Sequence, residues 1–227
     1  HEPGVGDGGE RHRAHLHPVS WVFPAQVLAT ALILGVVPGN ALKLALMLVV
    51  WAAGFRRLSG REWLTVLGVN ALFFGMNFGA LQKGFFRFEQ PDLAGMPVYE
   101  LFMWGFYTLN AARFIEGPVP RERRGLALAL AVAFSIPFST IANDGWLLAA
   151  TGSVLVVALF FFHDKGDLAF TGYLVGMGAL IEYVGVWTGQ WSYPANPVGG
   201  VPLWFITMWG GVGLFTRRLL VPLMVKP

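Results

Sequence analysis

The chain has 227 residues, 55% of them hydrophobic and only 13% charged, with a formal net charge of +3 and a mean hydropathy of +0.57. A soluble domain of this length carries about twice that share of charge, so the composition excludes an ordinary soluble enzyme and points to an integral membrane protein. With no cysteine in the chain, disulfides, thiolate metal sites and cysteine nucleophiles are excluded as well.

In chain order, residues 1–17 are polar, rich in Gly, His and Arg, and read as a tail ahead of a single transmembrane domain over 18–227. No segment reads as a cleavable leader, because the first apolar run is itself long enough to span. Runs at 19–37, 40–55, 62–81, 97–115, 125–142, 145–162, 168–189 and 201–223 approach or reach the roughly 17–25 residues that a bilayer span needs. The second run is the weakest. It is short, it contains Lys43, and only Pro38-Gly39 separates it from the first. Helix-ending residues mark the connections, among them Ser59-Gly60, Gly117-Pro118, Asn143-Asp144-Gly145 and the stretch from Pro194 to Gly200. The predicted fold is an all-α integral membrane protein with about eight transmembrane helices in a compact bundle.

Basic residues test that count. Eight spans put Arg11, Arg13, Arg56, Arg57, Arg61, Arg113, Arg121, Arg123, Arg124, Lys165, Arg217, Arg218 and Lys226 on one side. Lys43, Lys83 and Arg87 fall on the other, a division of 13 to 3 among the 16 basic residues. Cytoplasmic loops carry the excess of Lys and Arg, so both termini are expected in the cytoplasm, with the chain in a bacterial cytoplasmic membrane.

Within these spans one carboxylate stands out. Counted from Leu168, Glu182 lies about 21 Å along the seventh helix, in the outer third of the hydrocarbon. Gly178, Glu182, Gly185 and Gly189 share a face by three-and-four spacing. A glycine face either lets a neighbouring helix approach or leaves room for a ligand. An unpaired charge at that depth costs about 2.5–3.5 kcal/mol on insertion scales, so Glu182 must be protonated, paired or next to water. Asn77 lies about 22 Å along the third span, with Asn70 on the same face. Glu100 opens the fourth span near the outer surface. Asn143 and Asp144 close an outer turn, and Trp187, Trp191, Tyr193 and Trp204 crowd the same interface. The economical picture is a polar cluster opening outward. Against it stand ordinary roles: an aromatic belt for the rings and interhelical hydrogen bonding for the asparagines.

Other chemistries lack their residues. Of five histidines, four (His1, His12, His15 and His17) sit in the tail, too few in the spans for a membrane di-iron centre, and no metal site is expected. His163, Asp164 and Asp167 read as a solvated loop after the sixth span. No lysine sits centrally in a late span for a Schiff base, and no phosphate-binding glycine loop appears. The basic loops are explained by topology, so no nucleic-acid partner is expected.

Gly178, Glu182, Gly185, Thr188, Gly189, Tyr193, Val201, Pro202 and Trp209 form a pattern that resembles the multispan carotenoid-biosynthesis membrane proteins, the carotenoid hydratases and small lycopene cyclases. The likeness covers about 35 residues near the C-terminus. Where that family has a small aromatic-glycine segment, this chain has Gln190-Trp191-Ser192. The resemblance implies a cofactor-independent enzyme that protonates a polyene end group. Glu182 would be the general acid, with Asn77 or Glu100 orienting a water or taking the proton back. Trp187, Trp191, Tyr193, Trp204 and Trp209, with Gly178 and Gly185, would form the polyene or pigment site.

Two other readings compete. The chain is also consistent with a non-catalytic accessory subunit of a photosynthetic or respiratory complex, holding a carotenoid or lipid, with Glu182 as a hydrogen-bond anchor. A small transporter is the third reading, weakened by the lack of an inverted repeat. Expected partners are membrane lipids, a hydrophobic polyene and, for the accessory reading, other membrane subunits.

Overall fold

The computed structural model describes residues 21–194 and 198–225. The polar tail, its histidines and the first residues of the 19–37 run lie outside the described residues.

Each of the eight apolar runs contains a helix. In order these are α1 (Val22–Val36), α2 (Asn40–Phe55), α3 (Gly60–Gln82), α4 (Glu100–Phe114), α5 (Arg124–Thr140), α6 (Asp144–Phe161), α7 (Lys165–Trp187) and α8 (Trp204–Phe215). The last continues through a π-helical turn, Thr216–Leu220, into α9 (Val221–Met224). One departure from an all-α fold is a two-residue antiparallel ladder of β1 (Arg87–Phe88) and β2 (Trp191–Ser192), pairing Arg87 with Ser192 and Phe88 with Trp191.

Local chemistry sets the helix ends. Ser59 and Glu62 form a reciprocal capping box at the start of α3. The Asn143 side chain accepts the Trp146 N–H at 3.0 Å and starts α6. At the other end of α7, the Gln190 N–H reaches back to the Gly185 carbonyl at 2.8 Å, and Gly189 takes a φ of +70° in the turn. The helix therefore stops at Trp187, and Gly189 leaves the glycine face on which its spacing had placed it.

The start of α7 corrects the sequence reading more sharply. Asp164 and Asp167 are not both loop residues: they cap each other, with the Asp167 N–H donating to Asp164 at 2.9 Å, so the helix begins at Lys165. Asp167 is 0% exposed. Its carboxylate pairs with Arg218 and, at 3.2 Å, with Arg217, while Asp164 takes both arginines at its exposed edge. Two consecutive arginines reach one acid because they sit in the π-helical turn.

Three helices, α3, α6 and α7, are long and apolar enough to cross a membrane, and α1, α2 and α5 are shorter apolar helices. At 1.5 Å per residue, the 23-residue α3 and α7 each run about 34 Å. Outward faces carry Leu64, Leu67, Trp146, Val156 and Phe160 well exposed, a surface suited to lipid and unsuited to water. Among the described residues, three helices with the length and apolar character to cross a membrane point to a membrane protein.

Packing centres on α7, which lies most extensively against α8. Gly213 allows this crossing, since a Cβ there would run into the Phe170 backbone. Helices α3 and α4 form a second pair, joined by Asn70, whose Oδ1 lies 2.7 Å from the Gly105 N–H. Two ends of the bundle can be followed by their polar contacts. One gathers Arg113 with Glu62 at 2.6 Å, the Asp164–Asp167–Arg217–Arg218 cluster, and Arg61 with the Val225 carbonyl at 3.0 Å. The other gathers Asn40 with Asp92, Lys43 with Gln190, Glu89 with Ser192, and Asp144 with Trp204.

Candidate functional site

The site forms where α4, α7 and α8 meet the β1–β2 ladder. Glu182 is 6% exposed on α7, and three donors from two segments, β2 with the residue after it and α8, converge on it. The Trp191 indole N–H donates to Oε2 at 3.1 Å, the Tyr193 hydroxyl to the same oxygen at 2.7 Å, and the Trp209 indole N–H to Oε1 at 3.3 Å. The two glycines flanking it on the helix face explain how these rings come so close. A Cβ on Gly178 would overlap the Trp209 ring, and one on Gly185 would overlap Trp191. The glycine face therefore admits aromatic side chains, neither a bare helix nor an open ligand space.

Glu100, the first residue of α4, faces the same space. Its Oε1 accepts the Asn77 amide at 2.9 Å and the Trp104 indole N–H at 3.1 Å. Asn77, Glu100 and Glu182, spread over three spans, thus line one cavity of about 60 Å³. Aromatic rings make most of its wall. Trp104 and Trp209 stack with centroids 5.0 Å apart, Tyr107 meets Trp209 edge-on at 5.1 Å, and Tyr193 meets Trp204 edge-on at 6.0 Å. Phe86 and Phe88, beside and within β1, complete it. No lysine, arginine or histidine is among the described lining residues.

The ladder fixes the segment that carries Trp191 and Tyr193. Glu89 receives the Ser192 hydroxyl at 2.7 Å and the Arg87 Nε–H at 3.3 Å, and its N–H donates to the Gln190 carbonyl at 3.0 Å. Ser192 and Arg87 together hold the Glu89 carboxyl below the usual carboxylate range. Lys43, buried in α2, donates to the Gln190 side chain and lies over the Tyr99 ring at 5.5 Å. It is the residue that made the second run look insecure, and it ties that helix to the site loop.

Of the predicted site residues, the structure brings Asn77, Glu100, Glu182, Trp191, Tyr193, Trp204 and Trp209 to the cavity, with Gly178 and Gly185 seating two of the rings. Trp187 is not brought in. It is 72% exposed on the outer side of α7, and its indole N–H donates to the Gly199 carbonyl at 2.8 Å. Trp104 and Tyr107 were missed, although Glu100 and Trp104 stand four residues apart, a spacing that places them together on a helix.

The polar atoms at the cavity are few: two carboxyls, one amide, indole N–H groups and phenols. Such a set can donate and accept a proton and, through its ring faces, shelter positive charge.

No protein-family model matches the sequence, and no curated protein matches it at a significant level. Among solved structures, the crystal structure of a cross-linked MvINS trimer is similar with a TM-score of 0.63 and 17% identity, over 75% of this chain and 99% of that one. At that identity the likeness is one of fold.

Proposed function

We propose that this chain is a membrane enzyme that protonates a carbon–carbon double bond at the end of a polyene or related isoprenoid, in the manner of carotenoid hydratases and small lycopene cyclases, without a redox cofactor. One observation carries the reading: two carboxyl groups, Glu100 and Glu182, line a single aromatic-walled cavity that has no basic side chain among its described lining residues. Adding a proton to an alkene leaves a carbocation. Tryptophan faces attract cations most strongly among the aromatic rings, and a neighbouring carboxylate offsets the charge. The cavity accommodates the end of a substrate, while an apolar chain extends into lipid past the exposed faces of the bundle. In this reading eight spans place both termini in the cytoplasm and open the cavity toward the outer leaflet.

The test is expression in bacteria that accumulate lycopene, with carotenoids separated by chromatography and weighed by mass spectrometry. Conversion to a product heavier by one water, or to a cyclised isomer, is the expected result. An unchanged carotenoid profile at confirmed expression overturns the proposal.

The alternative is an accessory subunit of a larger membrane complex, and the observation that favours it is the enclosure of Glu182 by three hydrogen-bond donors. Here Glu182 would serve only to fix three aromatic donors. Gentle purification separates the readings: a coloured multi-subunit particle favours the subunit, a colourless and catalytically competent protein the enzyme.

A further inference from the structure

We propose that Glu100 is the acid that delivers the proton and that Glu182 is its fixed anionic partner. The substrate in this assignment rests on the polyene reading above; the location of the proton rests on hydrogen-bond geometry and on the shared cavity, independently of the substrate.

The two carboxyls are served differently. Glu182 accepts on both oxygens, from two indoles and one phenol. An indole N–H donates and cannot accept, so neither Trp191 nor Trp209 could receive a hydrogen from a protonated Glu182. Only the Tyr193 hydroxyl could accept one, and while it donates to Oε2 the surroundings are those of a carboxylate. The rings that hold it are themselves locked, two of them against glycines where a methyl group would not fit.

Glu100 has the opposite pattern. Both of its donors, Asn77 and Trp104, fall on Oε1. That is how a neutral carboxylic acid is solvated, one oxygen accepting as a carbonyl and the other free to carry hydrogen. Its exposure matters as well. Glu100 is only half-buried and opens α4, whereas Glu182 lies enclosed within α7. An acid that gives up its proton must regain it from water or from the substrate cation. Two negative charges around one small, apolar-walled cavity would also repel each other strongly, so the pair retains one proton between them.

The step balances as follows. The π electrons of a terminal double bond take the proton from Glu100 Oε2, forming a C–H bond, and the O–H bonding pair stays on Glu100 as the carboxylate charge. A tertiary carbocation remains beside the stacked Trp104 and Trp209, with Glu182 as counter-charge. Either a water molecule adds its lone pair to the cation and sheds a proton, or the π electrons of a second double bond in the chain close a ring onto the cation and a carbon next to the new cationic centre gives up a proton. In each case the released proton returns to Glu100, and the net change is addition of water or cyclisation to an isomer.

The experiment uses the full chain in phosphatidylcholine vesicles and has two arms. Infrared spectra at neutral pH, in H2O and D2O, detect the carbonyl stretch of a protonated carboxylic acid without any substrate. The wild type should show a deuterium-sensitive band that Glu100→Gln removes and Glu182→Gln retains. Loss of the band in Glu182→Gln alone, or its absence from the wild type, overturns the assignment. The second arm supplies lycopene in D2O and measures deuterium in the product. Glu100→Gln should lower incorporation by about 100-fold or more, the scale of a lost general acid, with Glu182→Gln clearly less impaired. The reverse ranking overturns the assignment. A wild type that leaves lycopene unlabelled counts against the polyene reading, while the infrared arm still decides which glutamate holds the proton.

Discussion

Trp104 and Trp209 lie face to face, ring centroids 5.0 Å apart and planes 19° from parallel, and each donates its indole N–H to a different glutamate, Trp104 to Glu100 and Trp209 to Glu182. The stack therefore couples the positions of the two carboxyls. A shift in either ring moves a donor at one acid and a packing surface at the other. Phe73 stacks on the far face of Trp104 at 3.9 Å, so the pair is clamped from α3 as well. Trp104→Phe should keep an aromatic ring in the stack while losing the hydrogen bond and part of the indole's volume, costing about 1–2 kcal/mol. Trp104→Ala should cost about 3–5 kcal/mol by leaving a cavity between Phe73 and Trp209. Unfolding in mixed micelles would measure both, and equal losses would show that the ring's packing contributes nothing beyond its N–H.

Two glycines of α7 make a matched comparison. Gly178 is filled by the Trp209 ring, whereas Gly172 has nothing within 4 Å of where a Cβ would stand. Gly172→Ala should stabilise the helix by about 0.5–1 kcal/mol through lower chain entropy. Gly178→Ala should instead displace Trp209 and cost about 1–3 kcal/mol, as overpacking of a filled core does. It should also shift tryptophan fluorescence, because Trp209 would lose its place against Trp104. A stable Gly178→Ala protein with an unchanged spectrum would refute the seating of Trp209 on this helix.

Asp167 is the buried centre of the ion cluster at the opposite end of the bundle. It is fully enclosed, and the side chains of Arg217 and Arg218 are nearly so, at 4% and 10% exposed. Removing one partner from a buried pair leaves an uncompensated charge and costs about 3–5 kcal/mol. Asp167→Asn should therefore destabilise the protein on that scale. Asp164→Asn, at the exposed edge of the same cluster, should cost much less. Comparable losses at the two positions would contradict the difference in burial.

How far these features were legible in the sequence follows from the range of the signals. The eight helices announce themselves through long apolar runs and the turns between them, and a helix needs only local information. Glu182 was visible because a carboxylate among apolar residues is costly, and its glycine flanks were visible through helical spacing. The ring-to-carboxylate contacts were not. Trp191 and Tyr193 reach Glu182 because the chain turns back at Gly189 and β2 is held against β1, about 100 residues earlier, and two-residue strands leave no alternating pattern to read. Asp167 shows a different failure. Its capping box with Asp164 was present in the residues, but counting the span from Leu168 set both acids outside it, and pairing with Arg217 and Arg218 across roughly 50 residues has no local signature.

Topology is the remaining prediction, and the helix-end contacts give it a physical basis beyond the charge count. Arg61, Arg113, Arg217 and Arg218 meet their partners at one end of the bundle. Lys43 and Arg87 meet theirs at the other, on the segment that includes Gln190 and Ser192. If retention of basic residues in the cytoplasm set the orientation, a reporter inserted after Arg124 must be cytoplasmic and one inserted after Gly200 must lie outside. Alkaline phosphatase, active only outside the cytoplasm, should be silent at Arg124 and active at Gly200, with a green fluorescent reporter giving the inverse pattern. The structure adds a second expectation, since the loop containing Gly200 and the strand at Arg87 belong to the same end: insertion after Glu89 should behave like insertion after Gly200. Agreement between 89 and 200 with 124 opposite supports the eight-span arrangement. The same response at 124 and 200 would refute it, because an odd number of crossings must separate those positions for α5, α6 and α7 all to span.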